Sequence, residues 1–134
     1  MSFLEWNEET ILNHPTIDKV HKTMLDDTNE LYTLVKSGKL EEAKTLLVKI
    51  IDDLKVHFDT EERLMKESKI PFYISHKLEH ERFYNKISVL QRKITTGAVT
   101  LTVEDLKFVK IWFHNHIEFK DRQLANFLIE KNIL

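Results

Sequence analysis

Hydrophobic positions recur at three- and four-residue steps along most of this chain, the period of a helix with one face in a core. The clearest run is Leu46, Leu47, Ile50, Ile51, Leu54 and Phe58, and a second is Leu78, Phe83, Ile87, Leu90 and Ile94. Helix breakers separate the runs. Thr16, after Pro15, is a plausible N-cap, and a first helix is expected over 17–36, ended by Ser37-Gly38. A second helix is expected over 40–66 with Pro71 as its breaker, and a third over 74–95 stopped by Thr96-Gly97. Thr102 with Asp105 three residues on reads as an approximate capping box, opening a fourth helix over 102–130. Helices joined by short loops become antiparallel neighbours. The expected fold class is therefore all-α, an up-down-up-down four-helix bundle over 17–134. The arm before it, 1–16, carries Phe3, Leu4, Trp6 and Ile11; it is too apolar to float and should pack along the bundle.

Composition sharpens this picture. Only two glycines and two prolines occur in 134 residues, which favours long helices over a many-turned sheet, and the length suits one domain, 1–134. The net charge of −2 and the lack of a basic stripe argue against nucleic acid as a partner. No apolar run approaches the ~20 residues that span a bilayer, and the N-terminus has no secretory pattern, so the cytoplasm is the expected compartment. The chain has no cysteine, which excludes disulfides, thiolate metal sites and thiol nucleophiles.

Candidate chemistry lies in the histidines. Five of the seven, with two carboxylates, form a ligand pattern on four segments: His21; His57 with Glu61; His76 with His80; and His116 with Asp121. His57–Glu61 and His76–His80 are spaced i, i+4, so each pair leaves one helix face a turn apart. Imidazole and carboxylate together suit iron, manganese or zinc rather than calcium or magnesium. Seven ligands are too many for one octahedral ion. Five histidines, two bridging carboxylates and a bridging oxide or hydroxide fill all but one position of two such ions. His116 and Asp121 are spaced i, i+5; on a regular α-helix they would diverge by ~140°, so a π-type turn or a bend is expected there.

The stretch Ile17-Asp18-Lys19-Val20-His21-Lys22 and the run from His57 to Met65 resemble the hemerythrin family in its single-domain bacterial form. So do His76 and His80 followed by Phe83, and the run from Trp112 through His116 to Asp121. The resemblance spans nearly the whole chain. It implies a non-haem di-iron centre, bridged by oxide or hydroxide, that binds dioxygen reversibly. Carried over, His76, His80 and His116 hold one iron and His21 and His57 the other, with Glu61 and Asp121 bridging. In the family, dioxygen binds at the open position and takes two electrons from the irons and a proton from the bridging hydroxide. Phe113 stands where relatives often carry an aliphatic residue.

Other features have ordinary readings. His14 and His114 fall outside the ligand set, and Glu62, pointing ~100° from Glu61, is expected in solvent. Phe58, Phe83, Met65 and Leu25 have core spacing, and Trp112 shares the face of His116 either as core or as pocket wall. The leading function is an oxygen carrier, store or supplier and not an enzyme, with dioxygen as ligand and the monomer favoured. The alternatives are a di-iron oxidase, peroxidase or nitric oxide scavenger, and an oxygen or iron sensor or reservoir acting with a partner. Glu-x-x-His motifs, common in ferritin-like di-iron proteins, are replaced here by His-x-x-x-Glu and His-x-x-x-His.

Overall fold

Each helix of this protein buries a stripe in which apolar and metal-type residues share one register. In α1 (Pro15–Lys36) the stripe is Ile17, His21, Met24, Leu25, Thr28 and Leu31. In α2 (Leu40–Glu67) it runs from Ala43 and Leu47 through Leu54, His57 and Phe58 to Glu61 and Met65. In α3 (Tyr73–Thr95) it is His76, His80, Phe83, Ile87 and Ile94. A computed structural model describes residues 3–133; Met1 and Ser2 of the arm, and Leu134, lie outside the described residues. The fourth rod is composite: α4 (Val103–Asn115), a π-helical turn over His116–Asp121, and α5 (Arg122–Glu130). α2 lies between α1 and α3, and α1 also meets α4. The architecture is the expected all-α four-helix bundle, with no strand among the described residues.

The rods stop by one shared device. After α1, α2, α3 and α5 the chain turns left-handed at Gly38, Lys69, Gly97 and Asn132. The next N–H then reaches back to a carbonyl of the last turn: Lys39 to Leu34, Ile70 to Met65, Ala98 to Lys93 and Ile133 to Leu128. This is the Schellman closure, which satisfies carbonyls the helix leaves free. Pro71 was expected to break the second helix. It is Lys69 that ends it, in a conformation glycine adopts without strain and lysine does not.

The start of α1 also differs from expectation. Thr16 is not the cap. His14 is: its Nδ1 accepts from the Ile17 N–H at 3.3 Å, Pro15 fills the first helical position, and the helix begins two residues early. The ring is fully buried, and its Nε2–H donates to the Ile133 carbonyl at 2.9 Å, tying the start of α1 to the chain's end. The Thr102–Asp105 capping box is present as read.

The arm packs on the bundle. Phe3 stacks on Tyr32, and Asn29 pairs with Leu4 in both directions. Arg122 donates to the Glu8 and Glu9 carbonyls. Because successive rods are antiparallel, the late turns of α1 and α3 meet the early turns of α2 and α4. That end is apolar, built from Leu31, Leu47, Ile50, Ile87, Leu106 and Val109. The metal-type residues all gather at the other end. Among the described residues no helix is long and apolar enough to cross a membrane.

Candidate metal centre

The i, i+4 pairs place His57 above Glu61 on α2 and His76 above His80 on α3, one turn apart and inward. His21 comes from the second turn of α1. Asp121 reaches the same place because the fourth rod widens. The Arg122 N–H bonds the Ile117 carbonyl, five residues back. Each residue then turns less than in an α-helix, so a five-residue step from His116 returns near the same face. Lys120, which regular winding would turn inward, is only half-buried and bonds Ser75 instead. The expected π-type turn is therefore present.

The structure brings all seven sequence-identified side chains together, each at most 4% exposed. Their donor atoms form two groups, and within each group every atom lies within 4.8 Å of the others. One group is Glu61, His76, His80, His116 and Asp121; the other is His21, His57, Glu61 and Asp121. The carboxylates belong to both. Glu61 turns Oε1 to His76 and His80, each at 3.3 Å, and Oε2 to His57 at 2.9 Å and His21 at 3.6 Å. Asp121 turns Oδ1 to His76 at 3.0 Å and His116 at 3.1 Å, and Oδ2 to His21 at 3.0 Å. Each carboxylate thus splits its oxygens between the groups, which makes one group five-donor and the other four-donor.

The hydrogen bonding shows what these atoms lack. Both Glu61 oxygens, Asp121 Oδ1 and the Nε2 atoms of His21 and His76 are buried with no hydrogen-bond partner among the described residues. Orphaned buried polar atoms are costly. At the same time, the His80 Nδ1–H donates to Glu62 Oε2 at 3.0 Å and the His116 Nδ1–H to Glu79 Oε1 at 2.7 Å. A carboxylate only accepts, so both rings carry hydrogen on Nδ1 and, when neutral, a bare lone pair on Nε2. Those two Nε2 atoms are 3.0 Å apart. Two lone pairs face each other only around a shared cation, or a proton in its place.

Charge at the site agrees. Burial opposes the charged form of His21, but the close carboxylates of Asp121 and Glu61 outweigh it and carry the pKa to about 9. Burial likewise opposes His116, and the Asp121 charge, with Glu79 behind it, lifts it to about 10. Burial pushes Glu61 up, yet the surrounding histidines hold it well below the carboxylate range. Burial and the Glu61 charge push Asp121 up, and His116 with His21 brings it well below. Without a metal, protons therefore remain in the cluster; a bound cation takes their place.

Aromatic rings wall the five-donor group. Phe58 stacks on His80 with centroids 3.8 Å apart, and Trp112 stacks on His116 at 4.4 Å and on Phe83 at 3.8 Å. Trp112 is thus both core and wall. Two functional residues escaped the sequence reading. Glu62 is not in solvent but on His80, a correction, and Glu79 was not singled out at all. The signal available for both was adjacency to a candidate ligand. His114 stays outside the cluster, half-exposed near Glu9.

Residues 13–128 match the family model of the hemerythrin HHE cation binding domain. The chain belongs to the hemerythrin family. A bacteriohemerythrin of Methylococcus capsulatus is 29% identical over 123 residues, covering 91% of this chain and 94% of the relative. A myohemerythrin of Sipunculus nudus is 27% identical over 116 residues, covering 87% and 86%. A crystal structure of wild-type hemerythrin superposes with a TM-score of 0.90 at 27% identity, covering 95% of this chain and 98% of that one. As in the family's description, the residues present form a cluster able to hold a cation.

Proposed function

We propose that this hemerythrin-family chain binds dioxygen reversibly at two iron ions, held by His76, His80 and His116 on one side and by His21 and His57 on the other, with Glu61 and Asp121 bridging. The observation that carries the reading is the split of both carboxylates, which leaves five protein donors in one group and four in the other. Equal six-coordinate ions with one shared solvent bridge would then be filled on the first side and one position short on the second. The irons, when bound, would supply the two electrons that dioxygen needs to be held as a reduced ligand.

The chain's own residues do the rest. Glu61 and Asp121 hold the two donor groups at a fixed spacing. His21 and His57 leave room for one small ligand. Leu25, one turn beyond His21, and Ile117, next to His116, are buried apolar residues, and an apolar surround keeps bulk water and its protons from a bound ligand. Such a setting favours release of dioxygen over its further reduction, and so supports a carrier, store or supplier rather than an oxidase.

The test is a dioxygen cycle on protein loaded anaerobically with ferrous iron. A visible band should form with dioxygen and vanish under argon, leaving ferrous protein for several cycles. Oxidation on first exposure, with peroxide released in proportion, would contradict the reading and favour the enzymatic alternative.

A further inference from the structure

Two carboxylates reach the five-donor group from outside, and none is seen to do the same for its neighbour. Glu62 on α2 accepts the His80 Nδ1–H of α3, and Glu79 on α3 accepts the His116 Nδ1–H of the fourth rod. Both bonds cross between rods, so three rods are linked in series at the level of the site. The side chains are 17% and 33% exposed, so each is partly shielded and holds a fixed direction. His21 Nδ1 on the four-donor side, like His76 Nδ1 on the five-donor side, is buried with no hydrogen-bond partner among the described residues.

Resting on the di-iron reading above, we propose that Glu62 and Glu79 are positioning residues. They lock His80 and His116 with Nε2 turned inward, and their negative charge biases the three-histidine side toward the more oxidised metal. A carboxylate on the far nitrogen fixes an imidazole's tautomer and raises its basicity as a ligand. A more basic ligand stabilises the higher charge on the metal. With that bias on one side only, the two irons are electronically unequal before any small ligand arrives. With iron bound, His80 and His116 would make the five-donor side the better electron donor, and the four-donor side would be the one left to take a small ligand.

Glutamine keeps the shape and one acceptor oxygen but removes the charge. In iron-loaded protein, E62Q and E79Q should each shift the reduction equilibrium toward the ferrous state by about tenfold, 59 mV for a one-electron couple. The double variant should shift further. Glu81 sits on the same helix, is 54% exposed and has Lys77, at 4.0 Å, as its one ion-pair partner among the described residues, so E81Q serves as the control for a nearby charge not bonded to a histidine and should leave the potential unchanged. Equal potentials in wild type, E62Q and E79Q would overturn the charge bias, as would an equal shift in E81Q. Positioning is read separately on zinc-loaded protein by NMR of the imidazole Nδ1–H groups. They should exchange slowly in the wild type and at least tenfold faster in E62A and E79A. Unchanged exchange overturns the positioning role. Iron uptake by the wild type other than two per chain would defeat the di-iron reading and leave the zinc result standing by itself.

Discussion

At one end of the bundle Leu31, Leu47, Ile50, Leu106 and Val109 interdigitate around a cavity of about 20 Å³. At the other end, on the same four rods and in the same register, the inward positions are five imidazoles and two carboxylates. The first end satisfies itself: apolar atoms need only each other, and burial is worth roughly 25 cal/mol per Å². The second end does not. Several of its buried oxygens and nitrogens lack hydrogen-bond partners among the described residues, and protons or a cation must complete it. One set of helices thus carries a self-sufficient core and a core whose integrity is a binding equilibrium.

Removing the metal should have the largest effect. Binding at a thousandfold excess over Kd adds about 4 kcal/mol, which for a chain of this size is a loss of roughly 10 °C or more in Tm on stripping. The loss should be local. Hydrogen exchange should rise in residues 57–65 and 73–80 and stay low around Leu31 and Leu106. Uniform loosening of both ends would break the comparison. A core truncation gives the converse. Leu106→Ala should cost about 2–5 kcal/mol, by the same amount in loaded and stripped protein, because Leu106 is 1% exposed and packs at the metal-free end. Urea titration of both forms measures this.

How much of this was legible in the sequence follows the same division. The apolar stripe and breakers fixed four rods to within two residues at each end, and the metal-type residues kept the stripe's register, so their convergence was legible too. Even the π turn could be read, because a five-residue step between His116 and Asp121 is incompatible with regular winding. What escaped were contacts that helix periodicity does not encode. Glu62 and Glu79 point away from the bundle axis on their own helices. Each meets a histidine on the next rod because an imidazole's second nitrogen faces outward when the first faces in. His14 escaped because imidazole is not a usual cap, and Lys69 because nothing in its chemistry announces a left-handed conformation. Leu78, counted with the apolar stripe of the third helix, is 42% exposed; His76 and His80 occupy that stripe instead.

A pH series sharpens the contrast at intermediate size. In stripped protein, His21 and His116 are raised from 6.5 to about 9 and about 10. Their contribution is fully present below pH 6.5 and is lost as pH rises through 9 to 10. Glu61 and Asp121 are lowered from 4.5 and 3.8, so theirs is present above those values and lost as pH falls through the depressed ones. Stripped protein should therefore be most stable between about pH 4.5 and 6.5 and weaken toward pH 9. Metal binding, which displaces those protons, should strengthen over the same rise. Denaturant midpoints of stripped protein that climb from pH 6 to pH 9 would contradict this. The smallest effect is at the turn after α2. Lys69→Gly relieves a left-handed lysine and should stabilise by about 1 kcal/mol, equally with and without metal, as a melting curve would show.

The central claim is that one cluster holds two irons on unequal donor sets, and metal analysis with protein quantitation after anaerobic ferrous loading tests it most directly. Wild-type protein should hold two irons per chain, and His57→Ala, which shortens the four-donor group, should hold close to one. A wild-type stoichiometry of one, or a His57→Ala variant that still holds two, would contradict it.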